Sequence, residues 1–492
     1  MKRIVLLLVA TIFACSIYAQ KSYSLEDCRQ MAASNNKSLL AARESLHAAK
    51  ERSKAARTQY LPNISATGAY LWNEKNLSLL GSDQFLPVGS QMPDGSFGFT
   101  QDQISNNWAI INNSPVPLDA NGQPFDPKKN PEKIQWKNYA FIPKDAFEID
   151  MRNVFAGSIL LTQPIFMGGK IRQLNKMASY TQKLAEAKLE GETANLTVET
   201  DIAYWRVVSL VNKEKLAQSF VALLQKMDSD VAKSIAIGVA TKADELSVKV
   251  KLNEAEMSLL QVQNGLALSR MALAQLCGLP LDEIFQLEDE NLQVEPDASL
   301  IVRDSTQHYP ERYELKALMQ TVNLADANRK LMISRFMPTV GLTAGYFISN
   351  PNMFHGPSTE FAGMWQVGVA ANIPLFHWGE KIYTLRAAES EKRAAEYQLN
   401  EAREKISLEQ TQTEFKLAEA TKKLSVAQAN SENADENLHF AKLGFEAGEI
   451  APLLLMEAQT AWLKANSEAI DAAIDLKLTR LYWEKARGIL GN

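Results

Sequence analysis

Cysteine is nearly absent. Cys15, Cys28 and Cys277 are the only three in 492 residues, which is neither a disulfide framework nor a zinc-ligand pattern. Histidine is as scarce: His47, His308, His355, His377 and His439 stand apart, none at ligand spacing from a cysteine or another histidine. Glycine and proline are missing from long tracts in which Ala, Leu, Glu and Lys prevail, and that favours extended helices over a string of globules. Positive charge is not in excess. The formal net charge is −5, so nucleic acid is not an expected partner. No nucleophile constellation is present, and Met167-Gly168-Gly169-Lys170 lacks the flanking pattern of a phosphate loop. The chain does not read as an enzyme, and neither a cofactor nor a metal is expected.

The one long apolar run stands at the start. Lys2 and Arg3 precede an apolar core, Ile4–Ala14, and Ile17-Tyr18-Ala19 offers a cleavage site before Gln20, so residues 1–19 read as a secretory signal peptide. Its removal takes two cations away and leaves a net charge of −7. Lipid attachment at Cys15 is the alternative processing. The apolar run is too short to span a bilayer, and no later stretch is a transmembrane helix candidate. The exported chain is expected either in solution or in an outer membrane.

What is present in abundance is a repeat. Residues 155–278, moved forward by 210, fall on 365–488. Pro164 meets Pro374, Phe166 meets Phe376, Gly169 meets Gly379, Gly238 meets Gly448 and Gly278 meets Gly488. Five landmarks at one offset mark an internal duplication. Repeat 1 is expected over 20–280. It opens with a helix capped at Ser24, with Asp27 three residues on, that runs to Tyr60. Strands follow at about 63–72 and 153–163, with apolar and small polar residues alternating. Between them, 81–150 holds eight of the eighteen prolines and reads as a long irregular loop. A helix over 169–237, about 100 Å long at the usual rise, ends in a turn at Gly238, and a second helix covers 242–277. Val248, Leu252, Ala255, Leu259, Val262, Leu266, Ser269, Leu273 and Leu276 give it the four-three seam of a coiled coil.

An acidic connector, 281–306, leads to repeat 2 over 307–492. Here a helix at Arg312–Phe336 precedes strands at about 339–348 and 363–373, a long helix over 379–447, a turn at Gly448 and a helix over 453–487. The seam recurs 210 positions on as Ala458, Trp462, Ala465, Ala469, Ala472, Leu476, Thr479, Trp483 and Ala486. Pro62 and Pro338, which end the opening helices, are 276 apart, 66 more than the common offset. The surplus isolates 81–150 as an insertion in copy one. Each copy is thus helix, strand, strand, long helix, turn, helix, and its short helices together match the long one in length. In the last strand Trp365, Val367, Val369 and Ala371 face one way, and Gln366, Gly368, Ala370 and Asn372 the other. Four such strands cannot close a barrel, and an open edge is not viable in lipid. Several chains would have to share one, and three would supply twelve strands. A soluble periplasmic structural coiled coil with small hairpins is the competing reading. Cell fractionation separates the two.

Several short motifs, in order and twice over, resemble the TolC-type outer-membrane efflux protein family, the outer membrane factors. Leu25-Glu26-Asp27-Cys28 through Asn35-Asn36-Lys37-Ser38-Leu39 is similar to the family's opening helix, and Tyr309-Pro310-Glu311-Arg312-Tyr313-Glu314-Leu315 to the second-copy opening. Pro164 to Gly169 and Pro374 to Gly379 resemble its strand-to-helix hinges, with Pro62 and Pro338 at the other strand ends. Phe445-Glu446-Ala447-Gly448 resembles its aromatic-x-x-Gly tip turn. The resemblance covers nearly all the chain beyond 19 except 81–150. It implies an α+β fold of mainly long helical coiled coils, with a homotrimeric twelve-stranded outer-membrane barrel continued by a periplasmic α-helical barrel. It further implies a passive exit duct set in outer-membrane lipid, docked to a periplasmic adaptor (membrane fusion) protein and an inner-membrane pump. At the tip, the resemblance puts Asp244 and Glu457 at acidic ring positions of a periplasmic aperture. Leu454 replaces the second copy's Asp, and Phe445 and Ile450 stand where the family's locking Tyr and Arg would be, so any closure leans on apolar contact. Whether drugs, metals or proteins pass is not legible in these residues.

Overall fold

A computed structural model describes residues 21–88, 101, 104–137, 139–236, 238, 240–291, 312–354 and 358–490. The expected leader with Cys15, residues 292–306 of the connector and Tyr309-Pro310-Glu311 lie outside the described residues. In chain order the elements are β1 (Ser22–Tyr23), α1 (Leu25–Asn35), α2 (Lys37–Thr58), β2 (Asn63–Trp72), β3 (Leu77–Ser78), β4 (Gln84–Pro87), β5 (Trp108–Ile111), β6 (Ser114–Pro117), β7 (Tyr139–Ile142), β8 (Glu148–Ile149), β9 (Asn153–Phe166), α3 (Lys170–Ala236), α4 (Lys242–Cys277), β10 (Gln286–Leu287), α5 (Tyr313–Ser334), β11 (Thr339–Asn350), β12 (Ala362–Asn372), α6 (Glu380–Glu446) and α7 (Pro452–Arg487). They divide into a helical unit and a strand unit.

In the helical unit, α3 and α6 each run for 67 residues. The four-three seams of α4 and α7 turn inward: Val248, Ala255, Leu266 and Leu273 are buried in one, and Ala458, Ala465, Ala472 and Ala486 in the other. Burying a valine or leucine in this way contributes roughly 1.5–3 kcal/mol. The helix expected to run unbroken from Ser24 to Tyr60 is two helices. Ser24 closes a capping box with Asp27, but at Asn36 the backbone turns extended (ψ 125°). The Asn36 side chain then caps α2, accepting from the backbone N–H of Ser38 at 2.9 Å. Asparagine satisfies a helix start better than a helix interior, and the opening tract was read through it. Arg312, 276 positions on, stands at the start of α5 with nearly the same backbone, φ −65° and ψ 129° against −63° and 125°, though its side chain makes no capping bond there. The break therefore marks where the repeated plan begins.

The connector also differs from expectation in its first half. Phe285 and Leu287 are buried in the main core with Tyr204, Val207, Val208, Leu273 and Cys277. β10 pairs in parallel with β1, and Asp289 accepts from the Tyr204 hydroxyl at 2.6 Å. The acidic composition concealed two apolar anchors. Two paired cations complete this unit, Arg312 buried and Arg29 about one-third exposed. Arg29 grips Asp201 with two bonds, 2.7 and 2.6 Å. Arg312 reaches Glu314, Glu409 and the Ala486 carbonyl.

In the strand unit, one antiparallel sheet has the order β12-β11-β9-β2. Its register sorts the side chains. Ile64, Tyr70, Trp72, Phe155, Ile159, Leu161, Leu342, Tyr346, Ile348, Trp365, Val367 and Val369 share one face, and Ser65, Thr67, Ser158, Thr162, Thr343 and Gln366 the other, interspersed with Leu71, Leu160, Phe347 and Met364. On the polar face Thr67 and Ser158 hydroxyls meet at 2.8 Å. The apolar face is not covered: Ile64, Trp72, Trp365 and Val367 are 66%, 65%, 76% and 72% exposed. Among the described residues β2 and β12 each pair on one side only. Pro164, read as a hinge, lies inside β9. The ladder shifts register there, Gly341 facing Pro164 and Val340 facing Phe166, so Ile165 is bulged. A proline without an N–H is tolerated in a strand at such a place.

The insertion is not an irregular loop. β3–β8 and β4–β7 prolong the β2–β9 hairpin. Beyond them Ile104, Phe125 and Ile134 form a small core with Trp108 and Trp136. Buried Asn106 ties it together, donating to the Leu118 and Lys133 carbonyls and accepting from Gln135 N–H. β5 and β6 are joined at Asn112-Asn113, φ 53° and 62°, the two-residue hairpin that asparagine favours. Strands of four residues are too short for alternation to stand out among so many prolines.

Candidate functional site at the interhelical turns

Both long helices end in a left-handed glycine, Gly238 at φ +81° and Gly448 at φ +76°, each with open space around it. The conformation rather than crowding demands glycine here. Gly448 N–H donates to the Phe445 carbonyl and Glu449 N–H to that of Gly444, which satisfies the last carbonyls of α6. Past the turns, Thr241 caps α4, and Pro452 begins α7 in the first-turn position where its missing N–H costs nothing.

The two turns meet in one apolar cluster. Met227, Val231, Val248, Leu455 and Met456 are buried together, and Leu438, Ala441 and Phe445 pack against them. Lys226 of α3 and Glu446 of α6 bridge the copies at 3.4 Å. Of the sequence candidates, Phe445 belongs to this cluster, and Ile450 folds back on Gly444, 3.4 Å from where a side chain there would begin. Leu454 is exposed.

The two acidic candidates differ. Asp244 is engaged locally: its Oδ2 accepts from Thr241 N–H at 2.8 Å and from the Thr241 hydroxyl at 2.7 Å. Those bonds hold its carboxyl below the usual carboxylate range. Glu457 is exposed. It lines a groove of about 520 Å³ with Val250, Lys251, Glu254, Leu453 and Lys464. The structure thus brings Phe445 and Ile450 to the turns and leaves Asp244 in its own cap and Glu457 in the groove.

Sequence reasoning missed Glu245. It is nearly buried and accepts from both Lys242 and Lys249; these bonds, that from Lys242 first, hold its carboxyl down at about 2. The i, i+3 and i, i+4 spacing of the lysines was the available signal. At the other ends of the long helices, Gly168 and Gly169 of copy one have φ +59° and +87°, and Trp378 and Gly379 of copy two +47° and +83°. Met337 crowds Gly168, whose added side chain would begin 2.4 Å from its Cβ, while Trp378 is 89% exposed. Among the described residues no group of His, Cys, Asp and Glu is placed to hold a metal, and no helix is long and apolar enough to cross a membrane.

Comparison with known proteins follows the same division into copies. The family described as outer membrane efflux protein matches residues 145–279 and 309–482. No curated protein matches the sequence significantly. Among solved structures, the outer membrane protein VceC of Vibrio cholerae is 17% identical, with 94% of this chain and 96% of that one covered at a TM-score of 0.66. The open-state MtrE outer membrane channel of Neisseria gonorrhoeae is 15% identical, with 94% and 89% covered at 0.67. The CmeC outer membrane channel of Campylobacter jejuni is 14% identical, with 94% and 85% covered at 0.68. These likenesses carry the fold; the family match, which takes in well over half of the residues and both copies of the repeat, carries the identity. The chain belongs to the outer membrane efflux protein family.

Proposed function

We propose that this outer-membrane efflux channel is built from three copies of the chain, which close a twelve-stranded barrel and conduct substrate passively to the exterior. The observation that carries the reading is the sheet. It has four strands, two edges without partners among the described residues, one apolar exposed face and one mixed face that carries the small and hydroxyl residues. Unpaired strand edges in hydrocarbon cost several kcal/mol per backbone group, so only closure removes them. Closure with copies of itself puts the Trp365–Val367–Val369 face toward lipid and the Ser65–Thr67–Ser158 face toward a water-filled lumen, the alternation of membrane barrels. The same face would be an aggregation hazard on a soluble rod, which weighs against the structural coiled coil.

In this reading the helical unit extends into the periplasm, where an adaptor protein and an inner-membrane pump deliver substrate, and no cofactor takes part. The turns around Gly238 and Gly448 form the inner mouth. Glu457 lines it, three copies of a carboxylate favouring cations. Phe445, Ile450 and Leu454 give it an apolar rim, and Asp244 holds the start of α4. Purified from membranes in detergent, the protein is expected at three times the chain mass and to conduct in planar bilayers. A monomer recovered from the soluble periplasmic fraction, without conductance, would overturn the assembly.

A further inference from the structure

We propose that Cys28 and Cys277 are joined by a disulfide in the exported protein. They stand 249 positions apart, yet both are buried in the same core cluster, 1% and 0% exposed. The Cys277 thiol donates to the Cys28 carbonyl at 3.7 Å, which sets its sulfur against the Cys28 backbone. The backbone around them is fixed. Asn35 Nδ2 donates to the Cys277 carbonyl at 3.1 Å, and the next residue, Gly278, is left-handed and packed so closely on Asn35 that an added Cβ would lie 2.4 Å from its Cβ. α1 is thus clamped to the end of α4, where Cys277 stands.

A chain bound for the outer membrane passes through a compartment where adjacent thiols are oxidised. Nothing in the described site offers these two another use, since no third ligand stands by to make a metal site. The oxidant is of the class of protein thiol–disulfide oxidoreductases. The thiolate of one cysteine attacks the oxidant's disulfide, forming a mixed disulfide and releasing one oxidant thiolate. The thiolate of the other attacks the first cysteine's sulfur and expels the second oxidant thiolate. Two protons leave the chain, and its two electrons remain on the oxidant as a dithiol. Both thiols are enclosed by the core, out of reach of an oxidant, so exchange belongs to folding, before α1 docks. The bridge would enclose α1, α2, β2, β9, α3 and α4, nearly all of copy one, and long closed loops are those a bridge restrains most.

The test uses the full-length protein extracted from membranes, alkylated under denaturing conditions without reductant and digested with trypsin. Peptide 22–29, carrying Cys28, is expected in covalent linkage to peptide 271–303, carrying Cys277, and each is expected free only after reduction. Both cysteines recovered fully alkylated without reductant would overturn the proposal. Thermal unfolding supplies a second arm. Reductant is expected to lower the melting temperature of the natural protein and to leave that of the Cys28→Ser, Cys277→Ser double variant unmoved; equal behaviour of the two would count against the bridge. Neither arm depends on trimer formation or conductance.

Discussion

Asp244 and Glu457 are both carboxylates near the turns, yet their surroundings assign them different work. Asp244 accepts two bonds from Thr241, and its loss is expected to fray the start of α4. Glu457 has open groove in front of it. Glu457→Gln is therefore expected to change single-channel conductance and reduce cation selectivity in planar bilayers. No change in either would end its assignment to the mouth. Glu245 gives a pH prediction. Its folded pKa, about 2, lies below the ordinary value of 4.5. A depressed carboxylate contributes stability that is present above the ordinary value and lost as pH falls toward the folded one. Melting of helical signal at pH 5 and at pH 3 is expected to show a smaller acid loss in Glu245→Gln than in the natural protein. Equal losses would show that the lysine bridges add nothing.

At the scale of elements, left-handed glycines give a graded test. Gly448→Ala meets no neighbour and carries only the conformational strain, about 1–2 kcal/mol. Gly278→Ala has a similar φ but drives a methyl into Asn35, so denaturant melts are expected to rank it clearly below Gly448→Ala. Asp201→Ala, which removes both bonds that hold the partly exposed Arg29, is expected to cost about 1.5–3 kcal/mol. Much of this architecture was legible. Four-three spacing named part of the buried face of α4 and α7, Val248 to Leu273 and Ala458 to Ala486, but not Ala274, Cys277, Leu455 or Ile474; alternation named the faces of β12, and one offset paired the copies. What escaped has a common cause. The Asn36 break, the Pro164 bulge and the anchoring of Phe285 and Leu287 each turn on one or two residues whose partners are remote in sequence. Periodicity needs many residues to speak. The small core under Trp108 and Trp136 fell below that threshold, and the cross-copy cluster at the turns was visible only through its glycines. Nor could spacing place Asp244 in its cap and Glu457 in the groove, since that depends on which way each side chain turns.

For the whole molecule, the insertion is separable in principle. Lys144 N–H donates to Asp83 at 2.8 Å, so the chain can be rejoined there with β3–β8 intact. Excising 84–143 is expected to leave the oligomer unchanged on sizing in detergent while altering conductance. Loss of the oligomer would assign these residues to assembly. The sheet carries a last consequence. Its two free edges come from different copies, β2 from the first and β12 from the second, so a ring of chains closes by head-to-tail joints. A chain whose β12 edge is blocked by proline can still lend its β2 edge to a neighbour and enter a ring that never completes. In the proposed trimer such an allele is expected to be dominant: made in equal amount with the natural chain, it would leave only about one ring in eight whole if three chains assemble at random.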